Sequence, residues 1–127
     1  ESTIVSESDI YGNITFVNDK FCEVSQFTRE ELIGQPHKIV RHPDTPKLFF
    51  KNLWSTIKSG KTFRGYLKNS KKDGSAYYVD VVIAPILDEN NKPVKYIAAR
   101  YVINSETYGE QMLREQAIKM EEAEVSK

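Results

Sequence analysis

The chain has 127 residues, which suits one domain with a modest core. Its 18 basic and 18 acidic residues cancel, and this balance argues against a nucleic-acid-binding domain, which normally carries a basic excess. The single cysteine excludes an internal disulfide and fits a reducing compartment. No apolar run approaches the roughly 20 residues of a membrane span. We therefore expect a cytoplasmic domain, and the absence of an initial Met makes us expect a segment of a longer protein.

The first third of the chain is predicted to form a hairpin followed by two short helices. The β-rich runs Thr3–Ser6 and Ile14–Val17 flank the turn sequence Y-G-N. After Val17 the apolar spacing changes to that of a helix. The expected boundary residues are Asn18 or Asp19 as the first N-cap, Thr28 and Glu31 as a capping box, and Gly34 as the left-handed end of the second helix.

The loop at residues 34–52 concentrates more polar groups than a change of direction requires. It holds both histidines, His37 and His42, together with Arg41, Asp44 and three of the five prolines. Because each proline fixes its own φ and restricts the preceding residue, the loop should have one defined shape. We expect Arg41, His42 and Asp44 to point towards a ligand.

The second half of the chain is predicted to contain one amphipathic helix, three strands and a terminal helix. Thr45 at the N-cap and Pro46 at N1 should open the amphipathic helix, which ends at Gly60. The predicted strands are Thr62–Ser70, Ala76–Leu87 and Val94–Ile103, with the turn K-D-G between the first two.

The terminal helix should start after Ser105 as its N-cap. Its apolar residues at heptad-like spacing, Leu113, Ala117 and Met120, give only a weak coiled-coil signal, so we interpret it as a polar connector to a further segment. We assign residues 1–104 to one domain and 105–127 to this connector. The element order predicts an α+β fold with a five-stranded antiparallel sheet and short helices on one face.

This element order resembles that of the PAS domain, and local sequences strengthen the likeness. F-V-N-D-K-F-C-E-V-S-Q-F-T-R-E-E-L-I-G-Q-P-H (Phe16 to His37) is similar to the first half of a PAS domain. R-H-P-D-T-P (Arg41 to Pro46) and K-N-S-K-K-D-G (Lys68 to Gly74) resemble the aerotaxis-receptor (Aer-type) branch. The resemblance covers roughly Thr3 to Ile103.

Aer-type PAS domains bind FAD non-covalently and report redox or energy state to a signalling partner, so the resemblance implies the same here. It implies flavin-pocket roles for Asn18, Arg41, His42, Asp44, Trp54, Phe63 and Asn69. Phe63 stands where this branch often has tryptophan, which keeps an aromatic surface but removes a hydrogen-bond donor. The blue-light flavin relatives need a reactive cysteine in an N-C-R-F-type segment, and Cys22 lies too early for that chemistry.

Most candidate residues have a structural interpretation beside the functional one. Arg41 offers a planar fork for phosphate, or it pins the loop by a salt bridge to Asp44. His42 binds a ligand or caps a carbonyl group, and His37 either packs the loop or joins the pocket. Trp54, on the amphipathic helix, is more often a core residue than a cofactor contact.

Asn18 and Asn69 are candidates for a redox switch, because a neutral amide both donates and accepts hydrogen bonds. Flavin N5 accepts a hydrogen bond when oxidised and donates one when reduced. An amide beside it can rotate to match the new state and shift a strand or a partner surface. Our hypothesis is that Asn18 or Asn69 supplies this switch.

Two further functions remain open from sequence. A haem-binding, oxygen-sensing PAS domain would use His37 or His42 as the axial ligand, and a ligand-free PAS domain would serve dimerisation through the free sheet face and the connector helix. No catalytic triad, zinc or P-loop spacing is present, so we do not expect an enzyme. A flavin sensor would signal to a chemotaxis or other output module, with a homodimer as one arrangement.

Overall fold

The computed structural model describes residues 2–126, so the predicted domain ends Glu1 and Lys127 lie outside the described residues. The described part contains five strands and four α-helices. The strands are β1 (Thr3–Ser8), β2 (Ile14–Val17), β3 (Phe63–Ser70), β4 (Ala76–Leu87) and β5 (Pro93–Ile103). The helices are α1 (Asp19–Ser25), α2 (Arg29–Leu32), α3 (Lys47–Lys58) and α4 (Glu106–Val125), with one 3₁₀ turn at His37–Val40.

The five strands form one antiparallel sheet in the order β2-β1-β5-β4-β3. This confirms the predicted α+β fold with a five-stranded sheet, short helices and a C-terminal helix. The last strand, β5, is central, as its apolar sequence indicates. Side chains alternate along β5, so Tyr96, Ala98 and Arg100 are buried on the inner face while Tyr101 is exposed on the outer face.

The short helices begin and end where local signals predict. The Asn18 side chain accepts a hydrogen bond from the Phe21 amide (3.1 Å) and caps α1. Thr28 and Glu31 form the predicted capping box of α2. Gly34, just after this helix, has φ of +88°, a value that favours glycine.

The predicted start of α3 is wrong by one residue. Pro46 is the N-cap rather than N1, and the helix begins at Lys47 without a side-chain cap. Thr45 is not the cap because its hydroxyl donates instead to the Lys68 carbonyl oxygen on β3 (3.3 Å). That bond ties the loop to the sheet. Phe49, Leu53 and Ile57 form the buried face of α3, as the apolar spacing predicts.

Helix α4 contacts the sheet directly. It packs back on the outer face of the sheet, where an added Cβ at Gly109 would lie 2.7 Å from the Tyr78 ring. The Gln116 amide accepts from the Tyr66 nitrogen (2.7 Å) and donates to the Tyr66 oxygen (2.8 Å). This side chain therefore covers the free edge of β3. The face carrying Leu113, Ala117 and Met120 is turned towards the domain.

Candidate functional site

A cavity lies between the inner face of the sheet, helix α3 and the loop at residues 36–41. Its volume is about 170 Å³, many times the roughly 10–15 Å³ that one buried water needs. Leu53, Val81 and Ile57 form apolar walls. The exposed residues Tyr11 and Arg41 also line it, so the cavity reaches the surface on that side.

The loop is fixed at both ends by backbone pairing. On one side the Ile14 amide donates to the Gln35 oxygen (2.8 Å), and the His37 amide donates to the Gly12 oxygen (3.1 Å). On the other side Arg41 and Asn69 form an isolated bridge between the loop and β3. These contacts hold the loop over the inner face of the sheet, which gives it the defined shape that the prolines predict.

Three of the seven predicted site residues line the cavity: Arg41, Trp54 and Asn69. The Arg41 guanidinium carbon lies 3.9 Å from the centre of the Phe50 ring, a cation–π contact at the mouth. Trp54 meets Tyr96 edge-on with 5.8 Å between ring centres. These walls are therefore aromatic, and Arg41 places a cation beside them.

Asn69 is the buried amide of the cavity, with 2% of its surface exposed. In the orientation that suits its neighbours, its nitrogen donates to the carbonyl oxygens of Val40 (3.2 Å) and Lys68 (3.3 Å). The loop and β3 thus share this one side chain. A change in the hydrogen bonding of Asn69 would therefore alter contacts of both the loop and β3.

The other four predicted site residues lie outside the cavity lining: Asn18, His42, Asp44 and Phe63. The Asn18 side chain accepts from the Val5 nitrogen (3.0 Å) and the Phe21 nitrogen, and donates to the Thr3 oxygen (2.8 Å). Its amide is occupied in joining β1 to α1. Phe63 packs edge-on against Phe49, 5.4 Å between ring centres, in the core.

The salt bridge to Asp44, one of the two roles considered for Arg41, is replaced by other contacts. Asp44 lies 3.5 Å from Lys68 Nζ and 3.7 Å from His42 Nδ1, while its amide donates to His42 Nδ1 (3.1 Å). Lys68 also pairs with Glu110 on α4 (2.9 Å). Glu110 accepts from the Tyr78 hydroxyl as well (2.5 Å). Asp44 therefore belongs to a network between the loop, β3 and α4.

Arg100 was not among the residues predicted from the sequence; it lines the cavity and is buried, with 4% of its surface exposed. One of its terminal nitrogens donates to Ser6 Oγ (3.0 Å), and its guanidinium carbon lies 5.2 Å from the centre of the Phe21 ring. Among residues 2–126, its Nε is the one buried side-chain nitrogen or oxygen without a hydrogen-bond partner. Burial lowers the pKa of Arg100 to about 10, so it remains a cation at neutral pH.

His37 lines the same part of the cavity, with Nε2 3.4 Å from Ser6 Oγ. Burial, and then the charge of Arg100, lower the pKa of His37 to about 3. The ring is therefore neutral at pH 7. The Ser6 hydroxyl, which accepts from Arg100, can also share a hydrogen bond with Nε2 of His37.

A sequence signal for Arg100 does exist. It is the single charged residue in the run Y-I-A-A-R-Y-V-I, where a strand with two apolar faces leaves little room for a charge. The pattern alone could not assign Arg100 to the inner face, because Ile97 and Ala98 are equally apolar.

Other chemistry-bearing groups do not gather at the cavity. In the described range 2–126, no group of three or more His, Cys, Asp or Glu side chains is arranged to hold a metal ion. Cys22 lies on α1, partly buried against the core and outside the cavity lining. None of the helices in this range is both long and apolar enough to cross a membrane.

The sequence profile of the PAS fold matches residues 14–100. The chain belongs to the PAS family. This PAS domain is 43% identical over 89 residues to the aerotaxis receptor of Escherichia coli strain K12, covering 70% of the chain and 18% of the receptor. It is also 30% identical to the nitrogen fixation regulatory protein of Klebsiella pneumoniae, over 94% of the chain and 24% of that protein. The chain thus spans a quarter or less of these relatives, which are a receptor and a regulator by name.

Solved structures share the fold. The light state of the blue-light photoreceptor Aureochrome1 LOV superposes with a TM-score of 0.80 at 18% identity, covering 90% of this chain and 91% of that one. A second structure, of a Light-Oxygen-Voltage domain with a flavin analogue, superposes with a TM-score of 0.80 at 20% identity. It covers 92% of this chain and 88% of that one. At this level of identity the likeness shows the fold alone.

Proposed function

We propose that this PAS domain binds a flavin non-covalently, FAD by resemblance to the Aer-type branch, and passes redox or energy state to a downstream signalling module. The observation that carries the proposal is the cavity itself. It combines aromatic and apolar walls with one buried amide and one buried cation whose Nε lacks a protein partner. A flavin needs such a set: walls for a flat ring and polar groups for its edge.

The charges near the mouth also suit FAD. Arg41 and Lys38 line the cavity and are exposed, and guanidinium and ammonium groups are the side chains that bind pyrophosphate. The R-H-P-D-T-P sequence, which resembles the Aer-type branch, and the 43% identity to the aerotaxis receptor support the FAD assignment. On the same resemblance we propose that the domain lies in the cytoplasm.

A route for the signal leads from the cavity to α4. Asn69 faces the cavity on β3, and its neighbour Lys68 points to the opposite face, where it pairs with Glu110 on α4. A rotation of the Asn69 amide that follows the flavin redox state would move the strand that α4 covers. We therefore assign the amide switch to Asn69, and not to Asn18, whose amide is held by three backbone hydrogen bonds.

The absorption spectrum of the purified domain, before and after dithionite, tests the proposal. Two broad near-ultraviolet and blue bands that bleach on reduction are expected for flavin. Asn69→Ala should retain flavin but lose the redox-dependent change in hydrogen exchange of α4. Asn18→Ala, the matched amide control, should lower stability through the lost N-cap and leave that change intact. A protein that stays colourless after incubation with FAD would contradict the proposal and favour a ligand-free interaction domain.

Haem is the second candidate, and one observation favours it. His37 is a neutral imidazole that lines the cavity, as an axial ligand must be. His42 lies outside the lining, and its Nδ1 accepts a hydrogen bond from Asp44, so the haem hypothesis rests on His37. A single intense Soret band that is lost in His37→Ala would identify the cofactor as haem and not flavin.

A further inference from the structure

The net charge of zero results from unlike charges that lie in different parts of the chain. Residues 32–72 hold ten of the 18 basic residues and a single acidic residue, Asp44, whereas the rest of the chain holds eight basic and 17 acidic residues. The basic range contains the loop before α3, α3 itself and β3. Like charges that lie close together repel one another, and a partner of opposite charge relieves that repulsion.

Helix α3 presents three lysines to solvent in one row. Lys47, Lys51 and Lys58 are exposed, and their spacing of four and seven residues places them within about 40° of one another around the helix axis. Lys51 lies 3.5 Å from Glu124 at the end of α4. Lys47 and Lys58 form no ion pair with any residue in the range 2–126, and no acidic residue lies on α3. We call these three residues the lysine row.

The turn between β1 and β2 carries two exposed apolar side chains. Tyr11 has 80% of its surface exposed and Ile10 has 39%. The turn is fixed, because the Asp9 carboxylate accepts hydrogen bonds from the backbone amides of Tyr11 and Asn13, both at 2.9 Å. The two side chains are therefore held in solvent by an ordered backbone. We call them the apolar tip.

Trp54 connects the apolar tip to the lysine row. An added Cβ at Gly12, in the same turn as the tip, would lie 3.0 Å from the Trp54 ring. On α3, Lys58 Nζ lies 5.5 Å from the centre of that ring. The cations and the exposed apolar side chains thus border one another on the surface.

We propose that the lysine row and the apolar tip together form a docking surface for a membrane with anionic lipids. Lysines are point charges on flexible chains, and they interact with a field of headgroup phosphates without a preformed pocket. A tyrosine ring and an aliphatic chain beside them can enter the interface between the headgroups. The lysines alone would suit an acidic protein equally well, and the apolar tip is what favours lipid. This docking does not depend on the proposed flavin, and it adds a place at the membrane surface to the proposed function.

Sedimentation of the 127-residue chain with lipid vesicles tests the docking surface. Wild type should bind vesicles that contain phosphatidylglycerol, an anionic lipid, and not vesicles of phosphatidylcholine alone, and added salt should weaken the binding. Each cation near an anionic surface strengthens binding about fivefold. The row variant Lys47→Gln/Lys51→Gln/Lys58→Gln should therefore bind about a hundredfold more weakly. Its circular dichroism should match that of wild type, because all three side chains are exposed.

A scattered triple variant controls for net charge. Lys72→Gln, Lys92→Gln and Lys119→Gln remove three other exposed lysines, two from turns and one from α4, and should leave vesicle binding within a few-fold of wild type. Replacing the whole lysine row by arginine keeps its charge and should keep the binding. If the row variant does not fold, Lys47→Gln/Lys58→Gln takes its place.

Two single variants test the rest of the surface. Glu124→Gln removes a carboxylate beside Lys51 and should strengthen vesicle binding, by about fivefold at most. Ile10→Ser should weaken vesicle binding without changing its dependence on salt, because it removes apolar surface and no charge.

The outcomes separate a membrane from other anionic partners. Wild type that does not sediment with the phosphatidylglycerol vesicles overturns the proposal, whether or not the domain holds flavin. An equal loss of binding in the row variant and the scattered variant overturns it too, because binding would then follow net charge alone. Poly-L-glutamate that binds through the lysine row, with no binding to vesicles, would assign the surface to an acidic protein. Weaker vesicle binding in the row variant, with binding retained in the scattered variant, supports the proposal.

Discussion

Lys68 and Arg100 lie on opposite faces of the same sheet, and the protein surrounds them differently. Lys68 on the outer face has carboxylates from two sides, Asp44 in the loop and Glu110 on α4. Arg100 on the inner face has one serine hydroxyl and an unpartnered Nε. On the outer face the charge of Lys68 is paired within the protein, as expected of a surface that packs against a helix. On the inner face the Nε of Arg100 lacks a hydrogen-bond partner. We interpret that shortfall as the ligand site.

Gly109→Val would break the outer face most severely. A Cβ at this position lies 2.7 Å from Cγ and Cδ2 of Tyr78, atoms too near the backbone to swing away. We expect a loss of about 2–3 kcal/mol in the free energy of unfolding, the upper range for overpacking, or release of α4. Urea denaturation followed by circular dichroism measures it. Lys119→Val, at an exposed site of the same helix, controls for helix propensity. An equal loss of stability in that variant would show that close packing of Gly109 on Tyr78 does not cause the effect.

The inner face should respond to pH through His37. Its folded pKa of about 3 lies below the ordinary value of 6.5, so between these two values the unfolded chain binds a proton that the folded chain does not. Stability is therefore complete above pH 6.5 and is lost as the pH falls towards 3. From pH 7.5 to pH 5 the expected loss is about 2 kcal/mol.

His37→Gln isolates this effect because glutamine does not titrate. The groups that face His37 are Arg100 from β5, Ser6 from β1 and Phe21 from α1, and none of them changes charge in this pH range. Urea denaturation of both proteins at each pH should give a difference in stability that shrinks with acidity. Parallel pH profiles for wild type and His37→Gln would show that His37 binds its proton over the same pH range in the folded and the unfolded chain.

Arg100→Met should reverse the usual sign of a core mutation. Removing an uncompensated buried charge and filling its place with an apolar chain relieves a desolvation cost, while Ser6 keeps His37 as a partner. We expect the ligand-free domain to gain about 1 kcal/mol of stability. Thermal denaturation without added flavin measures this gain. A loss of stability would mean that the guanidinium is structural, supported by Ser6 and Phe21 alone.

The fold could be predicted from local signals, because strands, turns and caps depend on residues close in sequence. The Thr28–Glu31 capping box, the turn at Gly74 and the central position of β5 follow from neighbouring residues. The start of α3 differed because a tertiary bond to Lys68 uses the Thr45 hydroxyl. Local sequence signals cannot show that a capping side chain forms its hydrogen bond with another element instead.

The site was harder to predict, because convergence of side chains is a tertiary property. Arg41, Trp54 and Asn69 reach the cavity, whereas Asp44 points to Lys68 and away from it. The resemblance supplied residue types at matching positions but not their directions. Arg100 was missed because the alternation in β5 has two apolar faces, and only the packed sheet decides which one is inside.

Lys68→Met is the smallest expected effect and completes the comparison with Arg100→Met. Lys68 loses ion pairs to Asp44 and Glu110, but both lie near solvent, where such pairs contribute little. Glu110 keeps the Tyr78 hydroxyl as a donor, and Gln116 still covers the edge of β3. We expect a loss of about 0.5 kcal/mol or less in urea denaturation, diminished further by salt. The two methionine variants therefore differ in sign although each deletes one cation from the same sheet. If Lys68→Met proved stabilising and Arg100→Met destabilising, the protein would compensate the charge of Arg100 better than that of Lys68. The inner face would then not hold the uncompensated charge that we interpret as part of the ligand site.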